Sequence, residues 1–218
     1  MKKYATMIGL VALAALALTA FVGVSGAAAK AKVCSTTGTG AACAAGHGFE
    51  YTTQPLEATT TTALGQDATL TSGFINVTCD STMKGEVTHS GSGKITSLTF
   101  TNCTSSLGAC SEASSTASAA VPWNSTATAS GKNDGNGFMD VSSEVGGHFV
   151  CAGVTCKYSA ANAGLKNEIA VTGGDATRPK VTATGVPMAK SGGSGFCSAT
   201  ALWHGTYELI TPASLWIT

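Results

Sequence analysis

Apolar side chains in this chain recur at every second position, and that period confines it to strands. Ile75, Val77 and Cys79 alternate with Asn76 and Thr78, Leu98 and Phe100 with Thr99 and Thr101, and Val181 and Ala183 with Thr182 and Thr184. Met139 and Val141 share one face, as do Ile169 and Val171. Near the C-terminus Trp203, Tyr207 and Leu209 fall on the face opposite His204, Thr206 and Glu208. Successive strand side chains point to opposite faces, so this pattern describes half-buried strands and not helices of period 3.6. Thr and Val suit such a surface because their branched side chains lose little freedom there. Turn residues punctuate the runs at Ser72-Gly73, 89–93, 132–137, Gly146-Gly147, 173–175 and 191–193. Roughly eight to eleven short strands divided in this way predict an all-β chain folded as an antiparallel β-sandwich or jelly roll. The stretch 159–167 alone leans towards helix, and Gly164 interrupts it.

Charge is scarce. Only 11% of the residues are charged and 6% aromatic, against about 25% charged in an average domain. Thr, Ser, Gly, Asn and Ala must therefore make the surface. This excludes a coiled coil, a helical bundle and a charged disordered tail. Twelve bases balance twelve acids, so no basic field exists to hold nucleic acid.

The amino end has the anatomy of an export leader. Lys2 and Lys3 precede an apolar run over 7–22, and Ala27-Ala28-Ala29 offers a small-residue cleavage site before Lys30. Residues 1–29 are read as a signal peptide. An uncleaved anchor is the competing reading, but the apolar core is short for one. No later stretch is apolar enough for a spanning helix, so no membrane span is expected once the leader is removed. Residues 30–66 read as a loop-rich segment with an edge strand, and 67–218 as the β-sandwich domain.

Export gives the cysteines their meaning. All eight lie beyond the leader, and an even number in an oxidising compartment predicts disulfides rather than metal ligands. Cys34 and Cys43 bracket a small polar loop. Cys151 and Cys156 flank Ala-Gly-Val-Thr, read as a hairpin tip with the sulfurs facing across it. Cys79 and Cys103 each end an expected strand with one strand between them, which places both at one end of a meander. Cys110 and Cys197 then pair by elimination.

The runs SGFINVTCDSTMKGEV (72–87) and GKITSLTFTNC (93–103), with Val121-Pro122-Trp123, Gly185-Val186-Pro187, Phe196-Cys197 and the closing YELITP (207–212), carry a resemblance. They resemble a group of exported actinobacterial β-proteins and, more distantly, the secreted activator of alkane oxidation family. The resemblance covers most of the chain beyond the leader. It implies an exported β-fold and carries over no catalytic residue.

Motifs for chemistry are sparse. Gly192-Gly193-Ser194-Gly195-Phe196 lacks the last glycine of a nucleophile elbow. Neither H-E-x-x-H nor a phosphate loop occurs, since Gly93-Lys94 is followed by Ile95. The four histidines, His47, His89, His148 and His204, are scattered, though a Ser-His-acid triad can assemble from distant positions. Asn133, Asp134, Asn136 and Asp140 offer hard oxygen ligands around Gly135 and Gly137, a candidate calcium loop, with a Gly/Asn/Asp hairpin turn as the simpler reading. Trp123, Trp203 and Trp216 invite a sugar-stacking role, although Trp203 shares a strand face with Tyr207 and Leu209. No cofactor is expected.

Three functions compete. The first is a secreted or envelope-associated structural or interaction protein without chemistry of its own. The second is an extracellular ligand-binding module for glycans or a small apolar compound, recognisable by a cleft with exposed aromatic rings. The third is a secreted hydrolase, recognisable by a buried His bonded to Ser and Asp. A transmembrane barrel is a further alternative, since alternating strands and a leader fit it. The expected partners are cell-envelope components or glycans.

Overall fold

The computed structural model describes residues 31–36, 41–43, 48–50, 52–60, 67–161, 163, 169–174 and 178–218. The leader expected over 1–29 lies outside the described residues, as do His47 and most of 159–167. The described residues form fourteen strands and no helix. In order these are β1 (Val33–Cys34), β2 (Thr53–Thr60), β3 (Ala68–Ser72), β4 (Ile75–Thr88), β5 (Ser92–Ser105), β6 (Gly108–Ser115) and β7 (Trp123–Ala129). There follow β8 (Gly137–Val141), β9 (Val145–Cys151), β10 (Val154–Ala160), β11 (Ile169–Thr172), β12 (Lys180–Gly193), β13 (Thr200–Thr211) and β14 (Trp216–Ile217). The chain is all-β and antiparallel.

Strand pairing runs right round the molecule. Four long strands, β4, β5, β12 and β13, span its whole length. Between them lie four walls, each made of two shorter strands end to end. β2 pairs with the later half of β4 and β3 with its first half. β6 and β7 divide β5 in the same way. β8 and β9 border β7 and β6, and β10 and β11 border β9 and β8 before both meet β12. Finally β13 pairs with β12 on one side and with β2 and β3 on the other, which closes the ring. The two layers expected of a sandwich are thus joined at both sides into one wall, an up-and-down meander with no Greek-key crossover. Closure removes the unpaired edges that invite aggregation. The expected edge strand within 30–66 is β2, and it is paired on both sides.

The alternation decides which face is inside. On β4 the residues Ile75, Val77, Cys79, Ser81 and Met83 are buried, while Asn76 and Lys84 are exposed. On β13 Ala201, Gly205, Tyr207 and Leu209 point inward. The outer surface carries Thr, Ser and ion pairs such as Lys84–Glu57 (3.2 Å) and Arg178–Glu208 (2.5 Å). A barrel in lipid has the reverse arrangement, an apolar exterior. No described helix is long and apolar enough to cross a membrane.

The two ends of the barrel are finished differently. At one end, the termini end, β1 pairs with β14 across the opening. There Val33 N–H donates to His89 O (2.8 Å) and Ile217 N–H to Gly135 O (3.1 Å). At the other end lie the turns β3–β4, β5–β6 and β9–β10 and the loop β12–β13, with three disulfides.

All eight cysteines are paired, as Cys34–Cys43, Cys79–Cys103, Cys110–Cys151 and Cys156–Cys197. This is the chemistry of an oxidising environment. Cys79 and Cys103 meet across adjacent strands, not across an intervening one. The register of β4 with β5 slips between Thr78 and Asp80, where Asn102 takes a φ of 52°. Such a bulge re-aims a side chain and here sets Cys103 against Cys79. The expected Cys151–Cys156 and Cys110–Cys197 pairs are corrected. The β9–β10 hairpin turns on only Ala152 and Gly153, with φ of 48° and 78°, the positive values of a two-residue hairpin turn. Cys151 therefore faces Val154, and Cys156 lies opposite Phe149. On its other side Cys151 stands directly opposite Cys110 of β6, with Cα atoms 4.0 Å apart. Cys156 is left to meet Cys197 from the β12–β13 loop.

Candidate functional site

The lumen of the disulfide end is hollow. A cavity of about 70 Å³ is lined by Leu70, Val77, Leu98, Phe100, Trp123, Phe149, Met188 and Trp203 among others. Its emptiness follows from three small residues on its wall. Gly147 lies between Val145 and Phe149 on β9, Ala113 stands opposite Phe149 on β6, and Ala68 stands opposite Cys79 on β3. A second, smaller cavity of about 40 Å³ lies towards the termini end, among Met83, Ile95, Val181, Leu209 and the plug residues Val33, Leu215 and Ile217.

A polar waist separates the two cavities. Ser81 follows Cys79 on the inner face of β4 and faces Thr60, its cross-strand partner on β2. Tyr207, 1% exposed, enters from β13, and its ring meets Trp203 edge to face with centroids 6.1 Å apart and planes at 69°. Thr60 Oγ1, Ser81 Oγ, Trp203 Nε1 and Tyr207 Oη are all buried, and none has a hydrogen-bond partner among the described residues. Burial pushes the Tyr207 phenol up to about 12, against a smaller opposing pull from the Ser81 hydroxyl and the Trp203 indole beside it. A buried polar atom without a well-formed bond costs about 1–3 kcal/mol, so the waist is a costly layer in an otherwise apolar lumen.

Above the cavity Tyr158 forms a roof. Its hydroxyl bonds the Ser72 hydroxyl and donates to Ser198 O at 3.1 Å, tying β10 to the β3–β4 turn and the β12–β13 loop. Its ring stacks on Phe149, with centroids 6.2 Å apart. Outside the roof the same turn and loop expose Phe74 (63%) and Phe196 (70%), with Leu202 exposed on the adjoining stretch of β13.

The sequence candidates are distributed as follows. Asp134 Oδ1 accepts from the Ser130 hydroxyl (2.8 Å) and from Asn136 N–H (3.0 Å), bonds that hold its carboxyl below the usual range. Asn136 Oδ1 accepts from Gly173 N–H at 2.9 Å, and Asp140 lies in β8. The oxygen atoms of Asp134 and Asn136 thus shape the β7–β8 turn, in which Gly131, Asn133 and Gly135 take positive φ. No group of three or more His, Cys, Asp or Glu suited to a metal occurs among the described residues. Trp123 (4% exposed) and Trp216 (7%) are buried, which removes them from sugar stacking, and Trp203 faces the lumen. His204 Nδ1 accepts from Gly185 N–H at 3.1 Å.

His148 is the histidine that scattered spacing conceals. It stands opposite Ser114 on the outer wall, with Nδ1 2.8 Å from Ser114 Oγ and Nε2 3.0 Å from Glu112 Oε1. These are the residue types of a hydrolytic triad, brought together by the register of β6 with β9. Their setting differs from a triad's. Glu112 is exposed rather than buried, and Ser114 lies within a paired strand, where backbone N–H groups serve the ladder instead of forming an oxyanion pocket. The row is a cross-strand polar clasp. Family models, curated proteins and solved structures were each compared with the chain, and none matches.

Proposed function

We propose that the chain is an exported structural or interaction protein of the cell surface or its surroundings, acting by contact rather than by bond making. The observation that carries this is the pair of exposed rings, Phe74 and Phe196, at the end braced by three disulfides. Large apolar residues exposed together mark contact sites, and a braced backbone has little ordering entropy left to lose on binding. A cell-envelope component with an apolar or sugar face fits such a surface. The test is a Phe74→Ser/Phe196→Ser variant, which should melt like the parent yet no longer cosediment with envelope fragments of its own cell. Cosedimentation equal to the parent's would remove the reading.

The lumen favours a second reading, an extracellular ligand-binding module for a small apolar compound. Eight-walled barrels of this kind have an interior just large enough to be filled by side chains or to hold one small ligand. Here small residues at Gly147, Ala113 and Ala68 leave part of it unfilled.

A further inference from the structure

We propose that the disulfide end is a lipid-binding tip, which sets Phe74 and Phe196 into the headgroup–acyl boundary of a bilayer containing anionic lipid. This rests on the contact reading of those two rings and names their partner. Gly73 lies against Ser198, and Tyr158 bonds both the β3–β4 turn and the β12–β13 loop, so the two rings stand on one base.

The distribution of charge is the first support. The turns β3–β4, β5–β6 and β9–β10 and the loop β12–β13 (72–76, 105–109, 151–154 and 193–200) contain no charged residue. The opposite end carries Lys32, Glu50, Lys132 and Asp134. Along the strands leading away from the tip, the first charges met are Lys157, three residues past Val154, and Lys190, three before Gly193. At the rise of a strand this is about 10 Å behind the turns. The acidic Glu112 and Asp80 lie further back. Interfacial apolar faces sink about 5–10 Å into a bilayer. With the rings at the acyl boundary, the exposed Lys157 therefore stands at the level of the lipid phosphates. Lys190 Nζ donates to Ser194 O (2.7 Å) and so holds the loop that carries Phe196.

The backbone beside the rings is the second support. Phe74 O accepts from the Ser106 hydroxyl (2.8 Å), and Asn76 N–H donates to Ser106 Oγ (3.2 Å). Phe196 N–H donates to Ser194 Oγ (3.3 Å), and Cys197 N–H to Ser194 O (3.1 Å). Unpaired backbone groups are costly in lipid, and these are paired within the tip. A protein partner favours a polar rim around an apolar centre, whereas these serines are turned to the tip's own backbone.

The test is flotation of the disulfide-intact protein with vesicles of phosphatidylcholine, alone or mixed with phosphatidylglycerol. The parent should float with the mixed vesicles and more weakly with the neutral ones. Phe74→Ser/Phe196→Ser should weaken binding to mixed vesicles by about tenfold or more. Lys157→Gln should weaken it several-fold and leave neutral vesicles unaffected. Phe196→Trp, which keeps a ring in place, should gain fluorescence that bromine on the acyl chains quenches, and it decides the matter if the double variant does not fold. Equal flotation with both vesicle sets would overturn the anionic preference. No flotation of the parent, flotation unchanged by loss of both rings, or no quenching in Phe196→Trp would overturn the lipid partner. If envelope fragments then still require the rings, the contact reading stands with a partner other than lipid; if they do not, both readings fall.

Discussion

At the end that exposes Phe74 and Phe196, three disulfides tie β4 to β5, β6 to β9, and β10 to the β12–β13 loop. At the opposite end no disulfide joins two walls. There Val33, Leu215 and Ile217 fold across the opening, and Cys34–Cys43 closes only a local loop of the N-terminal segment. The hollow cavity lies under the crosslinked end. The comparison teaches how a chain poor in large aromatic residues affords an unfilled lumen: covalent ties supply there what apolar burial supplies at the termini end. Crosslinks also fix the backbone that carries the exposed rings, whereas the plug depends on the chain ends staying docked.

The largest expected effect comes from removing a tie. Cys110→Ala/Cys151→Ala opens a loop of sequence separation 41, worth about 4 kcal/mol by the chain-entropy estimate. Cys34→Ala/Cys43→Ala opens one of separation 9, worth about 2.7 kcal/mol on the same scale. Denaturant melts of both variants measure the difference. Equal losses would show that loop length does not set the contribution of these ties.

A smaller effect is expected from the plug. Ile217→Ala deletes a fully buried side chain at the termini end and should cost about 2–4 kcal/mol. The four disulfides should remain intact, as shown by an absence of alkylatable thiol. Thiols appearing in this variant would mean that the two ends are coupled more tightly than the comparison holds.

At neutral pH the smallest effect concerns the waist between the two ends. The Tyr207 phenol has its acidity suppressed, to about 12 in the folded chain against 10.0 ordinarily. The unfolded chain loses that proton first as pH rises, so stability present below pH 10 falls between 10 and 12, by about 3 kcal/mol in all. Tyr207→Phe should flatten this part of the alkaline melting profile. At neutral pH it should be nearly neutral or stabilising, because the hydroxyl it removes has no partner. A large neutral-pH loss would show that the hydroxyl is bonded after all.

What was legible in the sequence was local. Alternation placed Ile75, Val77, Tyr207 and Leu209 inside correctly, because a period of two survives any choice of neighbours. Trp123 invites sugar stacking as a lone aromatic in the sequence, and burial places it in the core. Connectivity was harder. The Cys151–Cys156 expectation assumed a four-residue hairpin tip, but Ala152-Gly153 makes a tighter turn and moves Cys156 two positions past Cys151. Ring closure depends on β13 reaching β2 and β3, a pairing between distant segments that no local pattern records. The cavity arises from the absence of side chains at Gly147, Ala113 and Ala68, and one small residue in a strand reads like any other. Ser114, His148 and Glu112 meet only through the register of two strands separated by a crossing.

Amide hydrogen exchange, followed residue by residue in the oxidised and the fully reduced protein, tests the division of labour between the two ends most directly. Local opening in each half reports the stability of that half separately. Reduction should strip protection from β3, β6, β9 and β10, while β2, β7, β8 and β11 keep most of theirs. Equal loss in both halves, or loss beginning at the termini end, would contradict the account.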